Sequence, residues 1–370
     1  MSKVLLITNI PAPYRVDLFY YMQTHQQTHE FFVIYTNRNE DNRQWVIDER
    51  KLLQSTILES KIIKRKGEGD VHYLHIPQHL TREITRINPD VVIAWEYNPS
   101  ALKALLWCKR HGRKFIHLTD GTLHSERNIG CVQKLMRHII IRHADACIAS
   151  STKAKEKLLQ WGAPERKIFI SLLTVDVSHF QFAEKRENQH TLLFVGRIIP
   201  LKGLDLLLRA LPKLHQPFEL LIVGDGEAEE KAKLMAMAEE THVAQHIHWL
   251  GFQSGEPLAD AYRRASVFVL PTREDCFGLV LLEALCSGTP IVASKYADGA
   301  YDTVHPGENG LIVDPEDADA LAEAIDSILS SEEIQRRYSQ NCRQYIPQFE
   351  FEAVMQGYLR AIASVTSGNE

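Results

Sequence analysis

The sequence predicts an α/β protein of two Rossmann-like, doubly wound parallel-sheet domains facing each other across a cleft. Three observations lead there. Short apolar runs alternate with helical stretches along the whole chain, the pattern of parallel strands with helices on both faces. At 370 residues the chain is long for one hydrophobic core. The alternation also restarts once, at TLLFVGR, after a break at residues 171–180.

In the first half the expected strands are Lys3–Thr8, Phe31–Tyr35, Val91–Trp95, Lys114–Leu118 and Ala146–Ala149. Between them HLTREITRI and SALKALLWCKRHG have helical periodicity, the latter ending at a C-capping Gly112. In the second half TLLFVGR, FELLIVGDG, IHWLGF, SVFVLP and PIVASK read as buried strands. The helices LDLLLRALPKL, EEKAKLMAMAEE, EPLADAYRRA, GLVLLEALCSG and DADALAEAIDSILSS lie between or after them. Domains are expected at 1–175 and 176–348. A last amphipathic helix within 349–370 should pack back toward the N-terminal domain.

Composition narrows the class. The chain is 45% hydrophobic and 24% charged, as ordinary globular proteins are. Its six cysteines show no Cys-x-x-Cys spacing, which argues against a disulfide framework or zinc site and fits a cytoplasmic setting. MSKVLLITNIPAPYR suits a first strand better than a signal peptide, and no apolar run is long enough to span a membrane. Residues 1–175 hold 26 Lys and Arg against 17 Asp and Glu, while the remainder holds 16 against 30. A basic first half is suited to something anionic, such as the inner membrane face or a phosphate-bearing acceptor. Only Lys64-Arg65-Lys66 is clustered, without interleaved aromatics, so nucleic acid is a poor fit. The helix CVQKLMRHIIIRHADA carries Lys134, Arg137, His138, Arg142 and His143. It reads either as packing on the sheet with a solvated basic face or as docking peripherally on an anionic membrane.

In doubly wound sheets, ligands sit outside the carboxyl ends of the strands. Three second-half loops carry suitable chemistry there. After TLLFVGR, the residues Gly196, Arg197 and Lys202 precede a helix, and two cations beside a helix N-terminus are suited to a diphosphate. After FELLIVG, Gly224 and Gly226 permit a tight turn. The third glycine of a dinucleotide fingerprint is missing, which argues against a dinucleotide-dependent oxidoreductase. The third loop begins PTREDCFGLVLLEALCSGTPIVAS. Here Glu283 lies among leucines, a costly place for a lone carboxylate, while Glu274 and Asp275 crowd the preceding turn. The amides of Phe277, Gly278 and Leu279 open a helix and suit an anion.

That third stretch resembles the donor-site signature of the family 4 retaining glycosyltransferases of the GT-B fold, two acids bracketing seven residues with Phe-Gly between. GRIIPLKGLDLLLRAL, LLIVGDGEAEE, WLGF with AYRRASVFVLPT, and PGENGLIVDPEDADALAEAI resemble the family's other blocks, in order. The resemblance implies a nucleotide-sugar donor, UDP-sugar favoured, bound by the second domain, and a glycan or lipid-linked acceptor bound by the first. Arg197 and Lys202 would neutralise the diphosphate, and Glu283 would accept hydrogen bonds from the ribose. The first acid would hold the transferred sugar; by spacing it is Asp275, with Glu274 the alternative. Gly196, Gly224, Phe252, Cys276, Phe277, Gly278 and Leu279 complete the donor site. No metal or other cofactor is implied, since the only Asp-x-Asp, at Asp317 and Asp319, reads as acids in the first turn of a helix.

On the acceptor side, NIPAPYR resembles the opening of a polysaccharide-assembly branch and places Asn9 and Arg15 beside the cleft. Asp120, after the strand containing His117, is the candidate to touch the acceptor, followed by Glu96 and His124. His117 itself reads as a core or cleft-edge residue. Rival readings are a nucleotide-sugar epimerase of the same fold and a non-catalytic nucleotide-sugar-binding protein.

Overall fold

The computed structural model describes residues 1–41, 45–66, 71–182 and 190–366. The chain forms two compact units, Met1–Gly67 with Val71–Val175 and Phe351–Glu370, and Asp176–Glu350.

The first unit contains β1 (Ser2–Thr8), β2 (His29–Tyr35), β3 (Ser55–Ile57), β4 (Ser60–Lys66), β5 (Val71–Pro77), β6 (Val91–Trp95), β7 (Lys114–Thr119), β8 (Ala146–Ala149) and β9 (Ile168–Ile170). Seven of these make a parallel sheet in the order β3-β2-β1-β6-β7-β8-β9. Successive side chains of a strand point to opposite faces, and here both faces are covered. Leu5 and Ile7 of β1 pack with Ile84, Ala104 and Leu158, while Val4 and Leu6 pack with Phe19, Met355 and Ile362. Met355 and Ile362 belong to the helix Phe351–Thr366, so the chain returns to the first unit after building the second. Ser171 Oγ fastens this helix by donating to the Val354 carbonyl at 2.8 Å.

One feature departs from the alternation. β4 and β5 pair antiparallel as a separate two-stranded ribbon, with Ile63 opposite Leu74. Lys64 pairs there with Asp41, while the side chains of Arg65 and Lys66 lie outside the described residues.

The second unit contains β10 (Thr191–Val195), β11 (Glu219–Val223), β12 (Ile247–Gly251), β13 (Val267–Leu270), β14 (Ile291–Ser294) and β15 (Gly310–Val313). Their order, β12-β11-β10-β13-β14-β15, reverses between β10 and β13. The first sheet reverses likewise between β1 and β6. Such switch points open a crevice at the carboxyl ends of the strands. Asp317 caps the helix Ala318–Leu329, accepting from the Asp319 and Ala320 amides at 3.1 and 3.0 Å, as the first-turn reading of that Asp-x-Asp requires.

The helix Cys131–His143 corrects one expectation. Arg137 is buried instead of joining a solvated basic face, and its Nε donates to Glu126 at 2.7 Å.

Candidate active site

The second unit draws three loops together around its switch point. After β10 comes Gly196, then a half-buried Arg197 and a single 3₁₀ turn, Pro200–Lys202. Gly203 follows with φ 70° and opens the helix Leu204–Ala210. A Cβ on Gly203 would lie 2.0 Å from the Pro271 carbonyl oxygen, so this position needs glycine for both conformation and space. Gly224, after β11, has φ 145°, and a Cβ there would meet the Gly196 oxygen at 1.8 Å. These backbone contacts hold the loop after β10 against its two neighbours. Arg273 adds a fork, donating to the Asp205 carboxylate at 2.7 and 2.8 Å and to Glu316 at 3.1 Å.

The result brings Lys202 to Asp275, Nζ to Oδ2 at 2.5 Å. Asp275 is placed by its backbone, which receives the Asp298 amide and donates to Tyr296 at 2.9 and 3.0 Å. Its Oδ1 accepts from the Phe277 amide at 3.2 Å, so that amide, expected to meet a ligand, is engaged internally. Gly278 (φ 77°) precedes the helix Leu279–Cys286, and the Gly278 and Leu279 amides have no partner among the described residues. Glu274 and Cys276 are half-buried in the same turn, Phe277 is buried, and Phe252 after β12 is exposed.

Among the described residues, Glu283 is bound to no guanidinium. Its Oε2 accepts from the Tyr262 hydroxyl at 2.7 Å. Burial, only partly offset by that bond, pushes its carboxyl up to about 7. Tyr262 is itself buried, between the rings of Phe180 and Phe268 at 5.8 and 5.6 Å. Sequence reasoning missed it. Its signal was there: an apolar-face tyrosine in AYRRA needs a partner for its hydroxyl, as Glu283 needs a donor.

At the strand ends of the first unit, Arg15 gathers three partners. It donates from Nη1 to Thr8 Oγ1 and Asn9 Oδ1 at 2.7 and 2.8 Å, and from Nη2 to Asp120 Oδ2 at 2.7 Å. The Asp120 amide donates to Glu96 Oε1 at 2.7 Å. Glu96 has φ 60°, a strained setting for a residue with a Cβ. Burial pushes its carboxyl up to about 7 despite the opposing effect of Lys157. Lys157, fully buried, donates to Thr119 Oγ1 at 2.8 Å and Glu126 Oε1 at 3.1 Å. Neither Lys157 nor Glu126 was expected here. His117 is completely buried against the Tyr97 ring at 4.3 Å, and burial holds it far below the usual histidine range, which makes it a core residue. His124 sits in the following turn, its carbonyl accepting from Arg127 Nη1 at 2.6 Å.

Two parallel-sheet Rossmann-like units with loops of this kind define the GT-B class of α/β proteins. The solved lipopolysaccharide outer core galactosyltransferase WaaB superposes with a TM-score of 0.76 over 98% of this chain and 99% of its own, at 19% identity. The Anabaena HepE structure in complex with UDP gives 0.80 over 98% and 100%, at 15% identity. Residues 177–345 match the family described as "Glycosyl transferases group 1", and residues 23–179 match "Glycosyltransferase Family 4". The chain belongs to this glycosyltransferase family. Among curated relatives, a D-inositol 3-phosphate glycosyltransferase of Rhodococcus opacus is 27% identical over 284 residues, covering 70% of this chain and 63% of its own. The glycogen synthase of Mycobacterium tuberculosis is 29% identical over 238 residues, covering 62% and 57%. The chain spans 37% to 63% of the length of these and similar curated relatives.

Proposed function

We propose that the chain moves a sugar, with retention and without a metal, from a UDP-sugar to a hydroxyl of a glycan or lipid-linked acceptor. The observation that carries this reading is the convergence of Lys202, Asp275 and the opening of helix Leu279–Cys286 at the switch point, with Glu283 in that helix. A diphosphate takes its counter-charge from Lys202 and Arg197 and from the Gly278 and Leu279 amides, which stabilise the leaving group as the glycosidic bond breaks. Asp275, released from Lys202, binds hydroxyls of the transferred sugar, with Glu274 beside it. Glu283 Oε1, unpartnered among the described residues, receives the ribose hydroxyls. Asn9, Arg15, Glu96 and Asp120 face the acceptor, with His124 at the edge. HepE structures contain UDP, glucose and UDP-glucose, and a TarM structure contains UDP with α-GlcNAc-glycerol, which supports the donor and acceptor classes.

Incubation with a panel of UDP-sugars, with and without acceptors, tests the reading. Acceptor-dependent UDP release with a new glycoside is expected. An altered sugar without acceptor would identify an epimerase, and binding without turnover a carrier.

Glu283 also sets a pH dependence. Ribose hydroxyls donate to the ionised carboxylate, so the apparent UDP affinity is lost as pH falls through about 7. With a midpoint there, Kd rises about tenfold from pH 8 to pH 6. The Tyr262 bond opposes the upward shift, so Tyr262→Phe is expected to move the midpoint higher. Calorimetric titration of UDP across pH checks both; a flat profile in the native chain contradicts the ribose role.

No helix among the described residues is long and apolar enough to cross a membrane. The peripheral-contact reading draws support from helix Cys131–His143, where Val132 and Leu135 are 75% and 60% exposed beside exposed Lys134, His138 and Arg142. Co-sedimentation with phosphatidylglycerol vesicles is expected to drop at least fivefold in Lys134→Glu/Leu135→Glu. Equal co-sedimentation of the two proteins would remove the membrane from the account.

A further inference from the structure

We propose that the strand-end site of the first unit accepts an uncharged polyol, a sugar ring bearing no phosphate, whose hydroxyl is received by Asp120. The inference rests on the acceptor role given to this unit above and narrows its substrate class.

Three cations and three carboxylates meet at this end of the sheet, and each cation is already bonded. Arg15 holds Asp120 together with Thr8 and Asn9. Lys157 and Arg137 both hold Glu126, at 3.1 and 2.7 Å. The Lys157 and Arg137 side chains are 0% and 8% exposed, so neither can swing out to meet a ligand without opening the unit. A phosphate monoester brings close to two negative charges at neutral pH. A phosphate placed at Asp120 would have to take Arg15 from it, stranding that carboxylate in a largely desolvated place beside Glu96.

A hydroxyl meets the opposite situation. Asp120 Oδ1 is buried and lacks a partner among the described residues, and so does Arg15 Nε, on a side chain only 9% exposed. One is an acceptor and the other a donor, and a hydroxyl is both. Glu96 holds the group in place: its carboxylate receives the Asp120 amide from a left-handed backbone. Strain of this kind persists where the surroundings over-determine it, often at ligand sites.

The test compares each acceptor with its own phosphate ester in acceptor-dependent UDP release: methyl hexosides against their 6-phosphates, and inositol against its 3-phosphate. The neutral member is expected to react at least tenfold faster. Equal rates, or a preference for the ester, overturn the proposal. Asp120→Asn is expected to raise acceptor KM at least tenfold while leaving the UDP Kd within twofold. Glu96→Gln, which keeps shape and an acceptor oxygen, should raise acceptor KM less than Asp120→Asn, with the same UDP Kd. Variants that change UDP affinity and leave acceptor KM untouched also overturn it. Failure of the native chain to bind UDP is a different result and sinks the donor reading itself.

Discussion

Glu283→Ala is expected to lower kcat/KM for the nucleotide sugar at least tenfold, about 1.4 kcal/mol of transition-state stabilisation or more. The carboxylate lies five residues into the helix Leu279–Cys286, among Leu281, Leu282, Ala284 and Leu285, all buried. Burial already disfavours its ionised form, and its described partner is the neutral Tyr262 hydroxyl. A charge kept at such a site contributes little to folding, and the Tyr262 hydroxyl retains the Val280 carbonyl at 3.3 Å, so alanine should lower the melting temperature by only a few degrees. Activity and stability therefore separate. Glu283→Gln sharpens the contrast, since it preserves the acceptor for Tyr262 and removes the charge. Lys202→Ala should lose activity comparably, because a diphosphate then lacks its nearest ammonium. Steady-state kinetics with thermal melts of the same preparations decide it; native rates in both variants would leave the donor site without support.

The second large effect is on stability. Lys157→Met removes a fully buried ammonium from Glu126 and Thr119. Arg137 still reaches Glu126 and the Gly121 amide still donates to Thr119 Oγ1 at 3.2 Å, but Glu126 Oε1 loses its donor. Breaking one side of a buried ion pair costs about 3–5 kcal/mol, because the partner charge remains desolvated. For a unit of this size that corresponds to a fall in Tm of roughly 6–20 °C. Methionine fills most of the volume, so the loss reports on charge more than on a cavity. Scanning calorimetry checks it, and a change below about 2 °C would show that the network is idle.

How much of this was legible can be followed residue by residue. The parallel strands were, because buried parallel strands are continuous apolar runs, as VVIAW and TLLFV are. The ribbon β4–β5 was not: KIIKRK and VHYLHIP mix cations, histidines and apolar residues, without the clean period of either element. Glu283 stood out because an acid among leucines needs an explanation. Its partner Tyr262 did not, since the approach of two helices is settled by tertiary packing. Lys157 belongs to TKAKEKLLQ, where three lysines look alike in sequence. Only packing against the sheet decides that Lys157 is buried while Lys153 and Lys155 remain partly exposed. Arg137 was misread for the same reason. The engagement of the Phe277 amide by Asp275 depends on a turn two residues long, below the resolution of pattern reading.

Helix Phe351–Thr366 has a bearing on how the molecule is made. A ribosome releases the polypeptide from its amino end, so β1 to β9 emerge long before the segment that roofs one side of their sheet. Until residues 351–366 are translated, Val4, Leu6 and Ile148 lack the cover of Met355, Tyr358 and Ile362. The described residues of the second unit, by contrast, all lie within 176–350, so it can close as soon as that stretch appears. Of the two units, the one begun first is thus the one completed second.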